Sequence, residues 1–239
     1  MLVLFDIDAT LISTSRAGMH AMLDAGRSLF GDSFTIERTE FAGRLDPLII
    51  ADLLLHNGQE PTLERIERMT AGYASSLERR LAEPGVARAL PGVPQLLDAL
   101  TGTPGVTIGL LTGNFEPTGR LKLTASGVDP DRFVISAWGS DSPSKPPTRN
   151  DLPRVAMDRY GLHAGTPIAG ERVVVIGDTI HDIACARAHG CRVIGVATGQ
   201  YRRDQLAHAD LPVDTLEDTG HLVDWMLQAT APPPCAQSE

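Results

Sequence analysis

The chain opens with an apolar run, Leu2-Val3-Leu4-Phe5, that passes without a break into Asp6-Ile7-Asp8-Ala9-Thr10. A short run with β-branched and aromatic content reads as a strand covered on both faces, as in parallel α/β sheets. Two carboxylates at its end have no place in that core, so they belong where the strand emerges. In open α/β sheets ligands bind outside the carboxyl ends of the strands, and a D-x-D there is placed to hold a cation and attack an electrophile. The pair also suits an N-cap or Asx-turn, and taken alone it leaves both readings open.

Two further strand ends repeat the theme. Val173-Val174-Val175-Ile176 runs into Gly177-Asp178-Thr179-Ile180-His181-Asp182. Gly177 lets the chain turn, and Asp178 and Asp182, four apart, can face one point. Carboxylates are hard oxygen donors, which favour Mg²⁺. A capping role for Asp178 at a helix from Ile180 to Ala188 is the simpler alternative, and it leaves Asp182 without a task. Between the acidic ends, Val106-Thr107-Ile108-Gly109-Leu110-Leu111 stops at Thr112-Gly113-Asn114, a hydroxyl, a flexible backbone and an amide that can present donors to an anion at a helix start.

With these three motifs in order, the chain resembles the haloacid dehalogenase superfamily, in the branch of Mg²⁺-dependent phosphatases that includes phosphoglycolate phosphatases. The likeness runs from residue 2 to about residue 200. It implies an α/β Rossmann-like, doubly wound parallel sheet with an inserted α-helical cap domain. It implies that Asp6 is the nucleophile, forming an aspartyl-phosphate, and that Asp8 is general acid and then base. Mg²⁺ is implied on Asp6, the Asp8 carbonyl and Asp178, with Asp182 in support; Thr112 and the Gly113 and Asn114 amides are implied to hold the phosphoryl group.

Two positions depart from the family pattern. The residue after the second Asp is usually Gly and here is Ala9, which is free of strain only if its φ is negative. The family also needs a cation that pairs with Asp6 and the phosphate. The only lysines are Lys122 and Lys145. Lys145, in Ser144-Lys145-Pro146-Pro147, resembles the familiar form of that motif; Lys122 lies on the helix after the phosphate loop, and Arg149 is the remaining candidate. Rigid support favours Lys122 as the catalytic cation, with Lys145 as a phosphate contact. Ten helical residues rise about 15 Å, so reaching back from Lys122 is expected to need a turn at Pro117 and Gly119.

Helical periodicity interrupts the strands over Ala17 to Phe30, Asp46 to His56 and Thr62 to Leu81. The expected organisation is a core over 1–14 and 88–228, a helical cap over 15–87 and a disordered tail over 229–239. The cap is where specificity should lie, and Arg44, in Ala42-Gly43-Arg44-Leu45-Asp46, could reach a second anionic group of the substrate or simply pair on the surface. Phe41 reads as cap core.

A formal charge of −9 argues against nucleic acid or an anionic membrane as partner, and no run approaches a membrane span. The expected partner is a small phosphorylated metabolite; the sequence sets no oligomeric state. Cys185, Cys191 and Cys235 form no disulfide or metal spacing and the first strand leaves little room for a signal peptide, so a cytoplasmic setting is expected. The absence of a lysine before Lys122 disfavours Schiff-base phosphonate chemistry, and the presence of Asp8, Asp178 and Asp182 disfavours metal-free dehalogenation. A β-phosphoglucomutase-like sugar phosphomutase and a non-catalytic binding or regulatory protein on the same fold are the alternatives to a phosphatase.

Overall fold

The computed structural model describes residues 1–228 of the 239, and the tail expected over 229–239 lies outside them. In chain order the elements are β1 (Leu2–Phe5), β2 (Ile12–Ser13), α1 (Ala17–Phe30), α2 (Asp46–His56), α3 (Leu63–Leu81), β3 (Arg88–Ala89), α4 (Val93–Thr101), β4 (Thr107–Leu111), α5 (Glu116–Ala125), β5 (Ile135–Ala137), α6 (Leu152–Ala164), β6 (Val173–Gly177), α7 (Ile180–Arg187), β7 (Arg192–Val196), β8 (Leu211–Val213) and α8 (Thr219–Gln228). Six strands form one parallel sheet in the order β5-β4-β1-β6-β7-β8.

The two-residue period of each central strand divides its side chains between two cores. Val3 and Phe5 of β1, with Val174 and Ile176 of β6, pack on one face against Leu96 of α4, Leu123 of α5 and Leu222 of α8. Leu2, Leu4, Val173 and Val175 pack on the other against Leu152 and Ala156 of α6 and Ile183 of α7. Burial on both faces is what made these strands continuous apolar runs. After β1 the chain builds one flank, β4 and β5, and then returns to the other side of β1 as β6. The order therefore reverses at β1, and a crevice opens at the carboxyl ends of β1, β4 and β6, where such sheets bind ligands.

Between β2 and β3 the chain leaves the sheet for the three helices α1, α2 and α3. These have a core of their own, centred on Met22, Ile50, Leu53, Met69, Tyr73 and Leu77, with Phe41 packed at its margin. The two-residue antiparallel pair of β2 and β3 joins the entry and exit of this helical insertion, Ile12 opposite Ala89 and Ser13 opposite Arg88.

Some expected boundaries shift. The run Phe133-Val134-Ile135 reads as a strand, but the pairing begins at Ile135 and ends at Ala137, and Val134 is exposed. The edge strand β8 and the helix α8 had no distinct sequence signal. Cys185 and Cys191 are buried, and burial pushes their thiols up to about 12 and about 11, so both behave as small hydrophobes. Among the described residues, no helix is long and apolar enough to cross a membrane.

Candidate active site

Asp6 follows β1 directly, and its N–H still donates to the Ile176 carbonyl at 2.9 Å, so the sheet ladder fixes its backbone. The next residues coil tightly: the N–H groups of Leu11 and Ile12 both point to the Ile7 carbonyl, at 3.0 and 3.1 Å. Ala9 has φ +57°, in the left-handed region, so the strain foreseen for a non-glycine residue at this turn is present. Two bonds hold it there, from Ala9 N–H to the Ile12 carbonyl and from the Thr198 hydroxyl to the Ala9 carbonyl.

Asp178 leaves the end of β6, and Asp182 lies in the first turn of α7. Carboxylate oxygens of Asp6, Asp178 and Asp182 all lie within 4.8 Å of one another, and all three residues are buried. Burial pushes the Asp6 carboxyl up to about 6; Arg149 opposes this, and Asp182 and Asp8 add to it. Asp178 is raised well above the usual carboxylate range by burial and then by the charges of Asp182 and Asp6. The capping alternative for this loop is realised by different residues than expected. Thr179 is the N-cap and Asp182 its partner in a capping box, Asp182 Oδ2 accepting from Thr179 N–H at 3.0 Å and from its hydroxyl at 2.6 Å. Asp182 thus has a structural task as well as a place in the acidic cluster, while Asp178 is left facing the crevice.

The cation beside Asp6 is Arg149, which corrects the expectation that Lys122 pairs with the nucleophile position. Arg149 comes from a single turn before α6, is buried, and approaches Asp6 Oδ2 at 3.3 Å while bonding Asp182 Oδ1. Its other terminal nitrogen donates to the Gly43 carbonyl of the helical insertion at 3.3 Å.

Lys122 serves the second carboxylate. Its Nζ donates to Asp8 Oδ2 at 2.7 Å and to Asn114 Oδ1 at 2.6 Å. The Asn114 amide nitrogen in turn donates to Asp8 Oδ2 at 2.9 Å and to the Thr112 hydroxyl at 2.8 Å. Burial works against the Lys122 charge, but Asp8, Tyr73 and Asp46 outweigh it and the ammonium is held more firmly than usual. No doubling back is needed. The helix α5 begins at Glu116 with Pro117 in its first turn, and helical side chains lean toward the N-terminus, so Lys122 reaches back along the axis to the phosphate loop. Lys145 is exposed and stands outside this group.

The crevice continues into a cavity of about 740 Å³ between sheet and insertion, lined by Asp6, Asp8, Asn114, Lys122, Arg149 and Asp178 from below. From above, Arg44 lines it while bound to Asp52 at 2.6 Å, and Phe41 and Tyr73 complete the wall. Gly113, in the loop after β4, allows backbone to meet backbone, because a Cβ there would overlap the Arg44 carbonyl.

Three contributors had no role assigned from sequence. The buried Thr10 hydroxyl donates to Asp178 Oδ1 at 3.4 Å; Gly199 lies so close to Asp178 Oδ2 that any Cβ would displace the carboxylate; and Asp46 of the insertion accepts from Phe115 N–H at 3.2 Å. Thr10 lies inside the D-x-D-A-T motif and was open to recognition; Gly199 and Asp46 are brought in by tertiary contact alone.

Comparison with known proteins gives relatives over most of the chain. The probable phosphatase IndB of Dickeya dadantii is 26% identical over 243 residues, covering 97% of each chain. A phosphoglycolate phosphatase of Yersinia pestis is 26% identical over 205 residues, 82% of this chain and 81% of that one. Among solved structures, CbbY from Rhodobacter sphaeroides in complex with phosphate shares the fold at a TM-score of 0.72 with 22% identity, over 92% of this chain and 96% of that one. The family profile of the haloacid dehalogenase-like hydrolases matches residues 3–187, and the chain belongs to that family.

Proposed function

We propose that this protein is a Mg²⁺-dependent phosphatase that hydrolyses small phosphate monoesters through an aspartyl-phosphate on Asp6, in the manner of a phosphoglycolate phosphatase. The observation that carries the reading is the convergence of three buried carboxylates on one side of the crevice with a Thr-Gly-Asn loop on the other.

The acidic cluster suits a divalent cation. Asp6, Asp178 and Asp182 face a single guanidinium, that of Arg149, so the group stays negative when ionised, and its donors are hard oxygens. Asp6 and Asp178 are the natural ligands with the Asp8 carbonyl, and Asp182, engaged by Thr179 and Arg149, supports them. When bound, Mg²⁺ neutralises phosphate charge and aligns the ester with the nucleophile.

The chain's own residues supply the rest. An Asp6 carboxylate oxygen attacks phosphorus; the bond from phosphorus to the ester oxygen breaks, and Asp8 hands its proton to the departing oxygen. Asp8 then takes a proton from water, which attacks the aspartyl-phosphate and releases phosphate. The chemistry requires Asp8 to move protons without moving itself. Lys122 and Asn114 both hold its Oδ2, and the side chain is 43% exposed, within reach of water. Thr112, Gly113 and Asn114 are suited to the phosphoryl oxygens. The helical insertion acts as the cap, with Arg44 over the cavity as the contact for the organic part of the ester.

Purified protein with p-nitrophenyl phosphate and Mg²⁺ tests the proposal. Steady turnover that disappears on chelation and returns with Mg²⁺ supports it. Full activity after exhaustive chelation removes the metal role of Asp178, and silence toward a panel of phosphate esters favours a binding protein on the same fold.

A further inference from the structure

Asp46 occupies the first turn of α2, where an acidic side chain ordinarily serves its own helix by facing the free N–H groups. Here it does not. The helix α2 has no side-chain cap, and Asp46 reaches out of the insertion into the core. Its Oδ2 accepts from Phe115 N–H at 3.2 Å, and its own N–H donates to the Gly113 carbonyl at 2.7 Å. One residue of the insertion therefore holds the Gly113–Phe115 segment on both sides of Asn114. The grip is close: the chain at Arg44 lies directly against Gly113, where only glycine fits.

The choice of a carboxyl at this place is costly. Asp46 is 6% exposed, and burial pushes its carboxyl up to about 6 despite Lys122 and the Phe115 N–H. A neutral residue would line the same wall without that penalty. Phe115 N–H belongs to the turn that begins α5, so its orientation is coupled to the amides just before it. If the insertion lifted away, this N–H would lose its acceptor and the Gly113 carbonyl its donor, leaving the loop only its bonds to the core.

We propose that Asp46 is a positioning residue for the phosphate loop: it fixes Gly113, Asn114 and Phe115 so that the loop takes its anion-binding form only with the helical insertion seated. The inference rests on the reading of Thr112, Gly113 and Asn114 as the phosphoryl site. It makes the insertion a part of the phosphate site itself, beyond shaping the cavity above it.

The test is calorimetric titration of inorganic phosphate into the full chain with Mg²⁺, comparing wild type, Asp46→Ser, Asp46→Asn and Thr112→Val. Serine is well tolerated in a first helical turn and is too short to reach Phe115. Asp46→Glu, which keeps the charge but displaces the carboxylate, is a second disruptive variant should serine unfold the chain. Loss of one hydrogen bond on the loop predicts about tenfold weaker phosphate binding for Asp46→Ser and Asp46→Glu. Asparagine keeps the acceptor and is expected to restore binding to within about threefold. Equal affinity in wild type and Asp46→Ser, or equal loss in Ser and Asn, overturns the proposal. Thr112→Val separates the two levels: if it weakens phosphate binding while Asp46→Ser does not, only the role of Asp46 falls. If wild type binds no phosphate, or Thr112→Val has no effect, the phosphate-loop reading falls and the inference with it.

Discussion

Two cation–carboxylate groups stand on either side of the crevice, and they differ in access to water. Arg149 with Asp6 and Asp182 is closed, the side chains being 7%, 8% and 0% exposed. Lys122 with Asp8 is half open, the ammonium 6% and the carboxylate 43% exposed. A closed ion pair holds atoms still, and breaking one side leaves a buried charge without a partner. A half-open one can exchange protons with solvent while its cation keeps the geometry. The difference teaches which carboxylate is suited to attack and which to proton transfer, even though the two acids are only two residues apart.

The largest effect expected is on the closed side. Asp6→Asn removes the proposed nucleophile and is expected to lower kcat/KM by about 10⁴ or more while the fold persists. Retention of a tenth of wild-type activity would falsify the assignment.

The cations sharpen the comparison. Arg149→Met leaves Asp6, Asp178 and Asp182 together without a counter-charge, and a cost of about 3 to 5 kcal/mol is expected for such a loss, read as a lower midpoint of chemical denaturation without metal. Lys122→Met leaves Asp8, which water can still reach, and Asp46, whose carboxyl already lies at about 6 and can take up a proton, so its stability loss is smaller, while turnover is expected to fall about 10² to 10³ through the disordered acid. Lys145→Ala, in an exposed loop, is expected to stay within about twofold of wild type in both measurements. Equal stability losses in the two methionine variants would erase the distinction between the two sides.

A weaker but independent effect concerns protons and metal. With the Asp6 carboxyl at about 6 and Asp178 raised well above the usual carboxylate range, protons compete with a cation for the closed side. As pH falls through 6 the Asp6 carboxyl becomes neutral, so apparent Mg²⁺ affinity is expected to drop by about tenfold per pH unit below that value. Titrations at pH 7.5, 6 and 5 read this directly, and an affinity constant across that range contradicts the metal role of the cluster.

How much of this was visible in the chain follows the same division. The polar strand ends were legible because β1, β4 and β6 are buried on both faces, which turns each into an uninterrupted apolar run whose last residue marks the rim. The insertion helices were legible because each carries one apolar face between clear turn residues; Ala17–Phe30 and Asp46–His56 begin and end where periodicity puts them. The partners were not. Arg149 and Asp182 are 33 residues apart and Asp46 and Phe115 are 69 apart, and no local pattern links them. The scarcity of lysine drew attention to Lys122, which does enter the site, but an arginine faces Asp6, its forked guanidinium bridging Asp6, Asp182 and the Gly43 carbonyl at once. The edge strand β8 stayed hidden because its three residues, Leu211, Pro212 and Val213, are only partly buried and make no continuous run.

The smallest expected effect is on stability alone, and it tests whether the carboxyl that joins the two halves is kept against the interest of the fold. The Asp46 carboxyl rises from an ordinary 3.8 to about 6 chiefly through burial, so the folded state binds its proton more tightly than the unfolded chain does. The sign follows from linkage: this group's contribution to stability is fully present below pH 3.8 and is lost as pH rises through 6. Asparagine resembles the protonated acid at every pH. Asp46→Asn is therefore expected to raise the melting temperature by a few degrees at pH 7.5, with the gap closing as pH is lowered toward 4. Lys122 loses one neighbouring charge in the variant but keeps Asp8, so its burial remains compensated. Thermal unfolding of the two proteins at pH 7.5, 6 and 4.5 decides the matter. A gap that does not change with pH means that the Asp46 charge is fully compensated by Lys122 and the Phe115 N–H, and that the carboxyl carries no cost to the fold.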